Sequence, residues 1–568
     1  MRLPGRSRCG STPGVSQNGK TNGPGGSLLA PREERQRLMR LSPRQRVAAL
    51  FDAEDTAALV RSLPAEDLYV TIQEVGLADT TELVQLASPA QFRTFVDLGG
   101  WAKDKLDPHA VLTWLRAARG DEQEDFLRKV HAVDLEVVET LLKEFTVVHD
   151  LEENPDVNPQ GMTMETPEGR YLVELKVEGV EMSAMRALVN DLIAENPFEA
   201  VRLFEAVRWE IPSELEETAF QFRRARLADL GFPTLEDALA LFSRVDVPPR
   251  PTGPGTPALT ASGGHVDYLE AAFRDLSDVE RMNAEDELRE VANAVLVAEL
   301  GDPGDLDAVR RVGEWVRDYL SLGLEHLTGG DPAKAPDVLR DTPLRRVFQV
   351  GFTLTLQLKY RADRLFKVPF VKLDDVPLVL PEEAAALEAL RRKRPRRALR
   401  VPGAEAVPFR SLREVAGSEA LLARAEGQVA ALGALLGGTE DTARTVLARF
   451  GVSLDVLGVE RLWAAGVSMA VLEERVDVRP VPLGRTVELG QRLFEGTPDA
   501  PRLRASAAER AVAALSPSVP EAAREELRRV VNSTLARLLS ELGPAWLREG
   551  RLDVIASAVL PMESAPVP

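Results

Sequence analysis

Within residues 42–119 a short apolar helical pattern restarts after Pro43, Asp52, Pro64, Asp79, Pro89 and Pro108, roughly 9 to 19 residues apart. Helices this short do not stand alone in water, because nucleation is costly and few hydrogen bonds follow it. They must lie against one another, so the pattern predicts a compact, superhelical array of short stacked helices. Ser42-Pro43-Arg44-Gln45 and Ser88-Pro89-Ala90-Gln91 each place Ser at the cap, Pro at the first helical position and Gln three residues after the cap. Asp52 and Asp79 are the expected caps between them. Leu68, Ile72 and Val75 form one buried stripe, and Leu83, Leu86 and Ala87 form the next. The stretch 122–145 predicts one longer helix burying Phe126, Val130, Val133, Val137, Leu141 and Leu142.

At 568 residues the chain exceeds one ordinary core. The expected class is mainly α and multidomain. Residues 1–30, rich in Gly, Ser, Pro and Asn, predict a disordered tail. The helical array occupies 31–145. Over 146–246 a small β-hairpin insert near 146–180 joins further helices. The turn Pro167-Glu168-Gly169 precedes an alternation of Tyr171, Val173, Leu175 and Val177 against Leu172, Glu174 and Lys176. Helical pattern resumes over 183–207 and about 213–230, and Gly231, Phe232 and Pro233 form a stop.

The Pro/Gly-rich stretch 247–264 reads as a linker. A helical domain follows over 265–375. In 309–327, Val312, Val316, Tyr319, Leu320, Leu324 and His326 fall on an apolar arc roughly 200° wide, which predicts packing against more than one neighbour. In the central helix 343–366, Val347, Phe348, Val350, Phe352, Leu354, Leu356 and Leu358 nearly encircle the axis. A C-terminal helical domain, 376–568, carries a basic loop at 391–400.

The formal charge of −19 disfavours a general nucleic-acid binder, since phosphate contacts need clustered Lys and Arg. Seven basic residues do cluster in 391–400. However, Pro395 interrupts the run and no aromatics interleave with it, which favours a solvated loop or an intramolecular partner for acidic surface. The single cysteine, Cys9, rules out a disulfide framework and a thiolate zinc site within one chain, and fits a reducing, cytoplasmic location. No run of 18 apolar residues predicts a membrane span.

The chain contains no HExxH, no GxxxxGK[ST], no GxSxG and no GxGxxG after a strand pattern. His109, His131, His149, His265 and His326 are isolated in sequence. Two residues stand out as candidate ligand-binding groups. His326 lies inside an apolar arc, where it either faces a groove or bonds a backbone carbonyl. Arg361 falls between Leu354, Leu358 and Leu365, where an unpaired guanidinium is costly, so it clamps an anion, forms an ion pair or snorkels to water. No catalytic residue is assigned, and the balance leans away from an enzyme.

The stretch LVRSLPAEDLYVTIQEVGLADTTELVQLASPAQ resembles the short helical repeats of the cytosolic N-terminal domain of MgtE-type magnesium transporters and, more distantly, those of flagellar motor switch proteins. That likeness covers about 38–120. It implies that Glu66, Asp67, Glu74, Asp79 and Glu82 are candidate ligands for Mg2+, against the plainer reading of solvated faces and helix caps. No other cofactor is expected. The whole chain, including RLADLGFPTLEDALALF at 226–242, looks like the uncharacterised bacterial family DUF6178. The expected role is a cytoplasmic helical scaffold or adaptor for a protein partner, with oligomeric state open. Its alternatives are an enzyme or small-ligand-binding protein with a pocket in 265–375, or a divalent-cation-responsive regulator.

Overall fold

In a computed structural model, the structure describes residues 34, 37–38, 40–251, 266–368, 372–373, 375–399, 401, 403–552 and 556–563. The expected tail 1–30, most of the expected linker 247–264 and His265 lie outside the described residues. The chain divides into two compact units. One comprises Met1–Leu230 and Asp302–Leu306, the other Gly231–Gly301 and Asp307–Pro568. The division falls at a glycine with φ +84°, a left-handed conformation that ends the preceding helix.

The first unit opens with short helices, as the restarting pattern requires: Pro43–Phe51, Thr56–Ser62, Ala65–Val75, Thr81–Leu86, Pro89–Gly99 and Pro108–Ala118. At Ser88 both bonds of the capping box form: the Gln91 N–H donates to Ser88 Oγ at 3.3 Å, and the Ser88 N–H donates to Gln91 Oε1 at 2.8 Å. The Gln91 amide nitrogen donates in turn to the carbonyls of Val60 and Leu63 at the end of the Thr56–Ser62 helix. One side chain therefore starts one helix and finishes another. Two expected caps shift along the chain. Asp55, rather than Asp52, accepts from the Ala58 N–H at 2.9 Å, and Thr80, rather than Asp79, occupies the cap before Thr81–Leu86.

The expected long helix over 122–145 is two helices, Gln123–Ala132 and Leu135–Phe145. Val133 is extended and Asp134 is the cap of the second helix. The Asp134 carboxylate meets Arg226, which also grips Asp97 at 2.6 and 2.7 Å. The break thus joins a tertiary ion-pair cluster. Within Leu135–Phe145, Glu139 is only 6% exposed. Its helix neighbour Lys143 donates instead to the Val207 carbonyl at 2.5 Å. Burial, reinforced by Glu136 and Glu210, pushes the Glu139 carboxyl up to about 7.

The expected hairpin forms between Thr163–Glu165 and Tyr171–Leu175, and Thr146–Asp150 adds a third antiparallel strand on the other side of Tyr171–Leu175. Tyr171, Val173 and Leu175 are buried, as the alternation predicts. The pattern over 183–207 is two helices, Gly179–Glu195 and Pro197–Trp209, because Pro197 follows the Asn196 cap.

In the second unit, the helix that runs on from Asp307 to Leu327 and the helix Leu344–Leu365 cross at glycines. A Cβ on Gly323 would lie 2.2 Å from the Val347 carbonyl oxygen, and one on Gly351 would lie 2.1 Å from that of Tyr319. Leu344–Leu365 is buried on almost every side. Next come Pro381–Arg391, Leu412–Leu435, Val459–Glu473 and Arg524–Glu549, with shorter helices between them. A two-stranded hairpin, Phe494–Thr497 with Ala500–Leu503, interrupts what the sequence pattern reads as purely helical.

Candidate functional site

An open groove of about 600 Å³ lies between the Leu344–Leu365 helix and the Leu412–Leu435 helix, both in the second unit. Its walls have identifiable local causes. Leu344–Leu365 ends before Pro369, a residue that cannot continue a helix without losing a bond. Leu412–Leu435 starts at Ser411, whose hydroxyl accepts from the Glu414 N–H. It ends in a left-handed cap: the Gly438 N–H donates to the Gly433 carbonyl at 2.9 Å and the Gly437 N–H to that of Ala434 at 3.2 Å. Both glycines have positive φ, so the cap needs residues without a Cβ.

The opposite face of Leu412–Leu435 is anchored by a buried polar network. Glu383 is 1% exposed and accepts from Arg424 at 2.9 Å and from Arg529 at 3.2 Å. Gln428 donates to Glu526 at 3.0 Å and accepts from the Leu380 N–H at 2.8 Å. Each buried carboxylate has an arginine partner, which avoids the cost of an isolated internal charge.

Leu365, Val429, Ala430, Gly433 and Ala434 give the groove an apolar, small-residue lining, with Val368 at its edge. Three charged side chains stand over it. Arg361 makes a two-pronged pair with Glu426, at 2.8 Å from Nε and 2.6 Å from Nη2. The hydrogen bonds it donates to Glu426 hold the Arg361 guanidinium above the ordinary arginine range. Arg364 is exposed, and its guanidinium has no ion pair or hydrogen bond among the described residues. The surface combines apolar area, a fixed ion pair and one cation.

The two singled-out residues do not share a site. Arg361 lines the groove, whereas His326 is buried elsewhere and its Nε2 donates to the Pro248 carbonyl at 2.8 Å. A carbonyl only accepts, so Nε2 carries the proton. His109, His131 and His149 each pair with a glutamate (Glu181, Glu195 and Glu174), and do not converge.

The acidic residues of the array are also dispersed. Glu66 and Asp67 lie in the first turn of Ala65–Val75, and Glu82 lies in the first turn of Thr81–Leu86. Asp79 sits in a single 3-10 turn, and Glu74 is 3.5 Å from the buried Arg46. Among the described residues, no group of three or more His, Cys, Asp or Glu gathers to hold a metal.

The basic run is engaged within its own unit. Arg391 pairs with Asp363 at 3.1 Å and stacks on Phe366, while Arg394 pairs with Glu299 and stacks on Phe242. Arg396 covers Trp315, and Arg397 pairs with Glu414 at 2.9 Å. No helix of the described residues is long and apolar enough to cross a membrane.

Sequence reasoning found Arg361 but missed Arg364, Glu426 and the small residues Ala430, Gly433 and Ala434. Spacing carried no signal for a pairing between positions 361 and 426. A family model described as "Family of unknown function (DUF6178)" matches residues 26–563. No curated protein and no solved structure matches the chain.

Proposed function

We propose that this chain, which belongs to the DUF6178 family, is a cytoplasmic helical scaffold or adaptor that binds a protein partner in the groove beside Arg361. The observation that carries this reading is the groove itself: about 600 Å³ of open, largely apolar surface walled by two well-anchored helices. Apolar clefts of this kind between helices are the usual receptor for a partner segment that inserts a few side chains. The direct test is purification of the tagged full chain from native lysate at mild salt, beside an Ala430→Trp variant that fills the groove from an exposed position. A stoichiometric partner retained by the native chain and lost by the variant supports the reading. A native chain recovered alone and monodisperse counts against it.

A small-ligand role is the second reading, favoured by Arg364, whose guanidinium is placed to receive an anionic head group. A divalent-cation-responsive role draws on the likeness of residues 38–120 to the magnesium-transporter repeats. It has less support, because Glu74 faces Arg46 and the acidic residues are dispersed. A melting titration with Mg2+ and Ca2+ that shifts the transition at millimolar concentration would revive it.

A further inference from the structure

We infer that the element docked in the groove is an amphipathic helix with acidic side chains flanking its apolar stripe; this rests on the docking reading above. The first support is the repeat of the walls. Along one edge Arg361, Arg364 and Leu365 stand within one helical turn, a rise of about 6 Å from Arg361 to Leu365, and Val368 follows just past the helix end. Val368 is 46% exposed, so this edge offers an apolar group to a neighbour rather than to its own core. Across the groove, Glu426, Ala430 and Ala434 recur at the same interval. A helix laid between two such rows meets both with its own anchors at i, i+3/i+4 and i+7. The small side chains let its backbone come close.

Charge supplies the second support. Arg361 and Glu426 neutralise each other, which leaves Arg364 as the unbalanced charge of the lining, and Lys367 is exposed one turn beyond Arg364. The lining itself therefore carries one net positive charge, at Arg364, on a chain of net charge −19, while Glu419 lies close enough to act on Arg361. A basic segment would face Arg364 and gain nothing from Glu426, whose two oxygens Arg361 already holds. An acidic one gains a charge-assisted hydrogen bond at Arg364. Such complementarity sets which partner is accepted more than how tightly it is held.

The test uses the full chain and two labelled synthetic helices, identical in their leucine stripe but flanked by Glu in one and by Lys in the other. Fluorescence anisotropy should give saturable binding of the Glu helix, weakened by about tenfold or more for the Lys helix and weakened by added salt. Ala430→Trp should abolish binding, and Arg364→Glu should reverse the preference. Both positions are exposed, and unchanged unfolding curves verify that the variants fold. Equal affinity for the two helices, still blocked by Ala430→Trp, overturns the inference while leaving the docking reading intact. No saturable binding of the Glu helix at millimolar concentration overturns it. Binding of decanoate in place of either helix, or self-association of the chain through the groove, also overturns it by naming another occupant.

Discussion

Glu139→Gln should change how the stability of the first unit depends on pH. Glu139 is 6% exposed, and its potential partner Lys143 is committed to the Val207 carbonyl. Burial lifts its carboxyl from 4.5 to about 7, with Glu136 and Glu210 adding to the rise and Lys143 opposing it. An acid whose folded value is raised favours the fold fully below its unfolded value. That contribution is lost as pH rises through the folded value, so the window runs from 4.5 to about 7. At about 1.4 kcal/mol per pH unit, ionisation of Glu139 costs the fold about 3 kcal/mol once pH exceeds both values. Glutamine keeps the size and removes the ionisation. Urea unfolding of the full chain at pH 5 and pH 8, followed by far-UV circular dichroism, measures the effect. The stability of the variant relative to the native chain should increase by about 2 kcal/mol or more between the two conditions. A difference that stays constant to within about 0.5 kcal/mol would refute the claim that this carboxyl is buried without an ion-pair partner.

Gly351→Ala should destabilise the second unit by about 1–3 kcal/mol or more, because the new methyl meets a backbone oxygen that cannot turn aside; chemical unfolding reads the loss. Arg226→Leu should destabilise the first unit by about 3 kcal/mol, since burial already raises the Asp97 carboxyl and both Asp97 and Asp134 lose their partner. That loss should shrink at acidic pH as the Asp97 carboxyl protonates. The carboxyl of Glu280, held by Arg340 and by its capping bonds to Ser277, should titrate at about 2 by NMR, and Arg340→Ala should raise it. The capping contribution of Glu280 should accordingly be present above about 4.5 and fade as pH falls towards 2.

The sequence made helix starts and stops legible wherever a local chemical cause sets them. Ser42-Pro43 and Ser88-Pro89 act through bonds spanning three residues, and Gly231 acts through its own backbone. The break at Val133 was not legible, because Val133 continues the apolar stripe and the role of Asp134 depends on Arg226, far along the chain. The hairpin at Phe494–Thr497 escaped for a different reason: its strands are too short to show alternation. Arg361 was legible as a cation among leucines, but its partner was not, since helix pairing is decided by packing. Gly323 and Gly351 look like weak points in their helices on propensity alone, and they are instead the point where the two backbones meet.

Site-specific photocrosslinking tests the docking role most directly. A benzophenone amino acid replaces Ala430 in the full chain in its native host, and a control chain carries it at the exposed Glu290. The account predicts a discrete protein adduct from position 430 that the control lacks and that Arg364→Glu diminishes. No adduct at 430, or the same adducts from both positions, would contradict it.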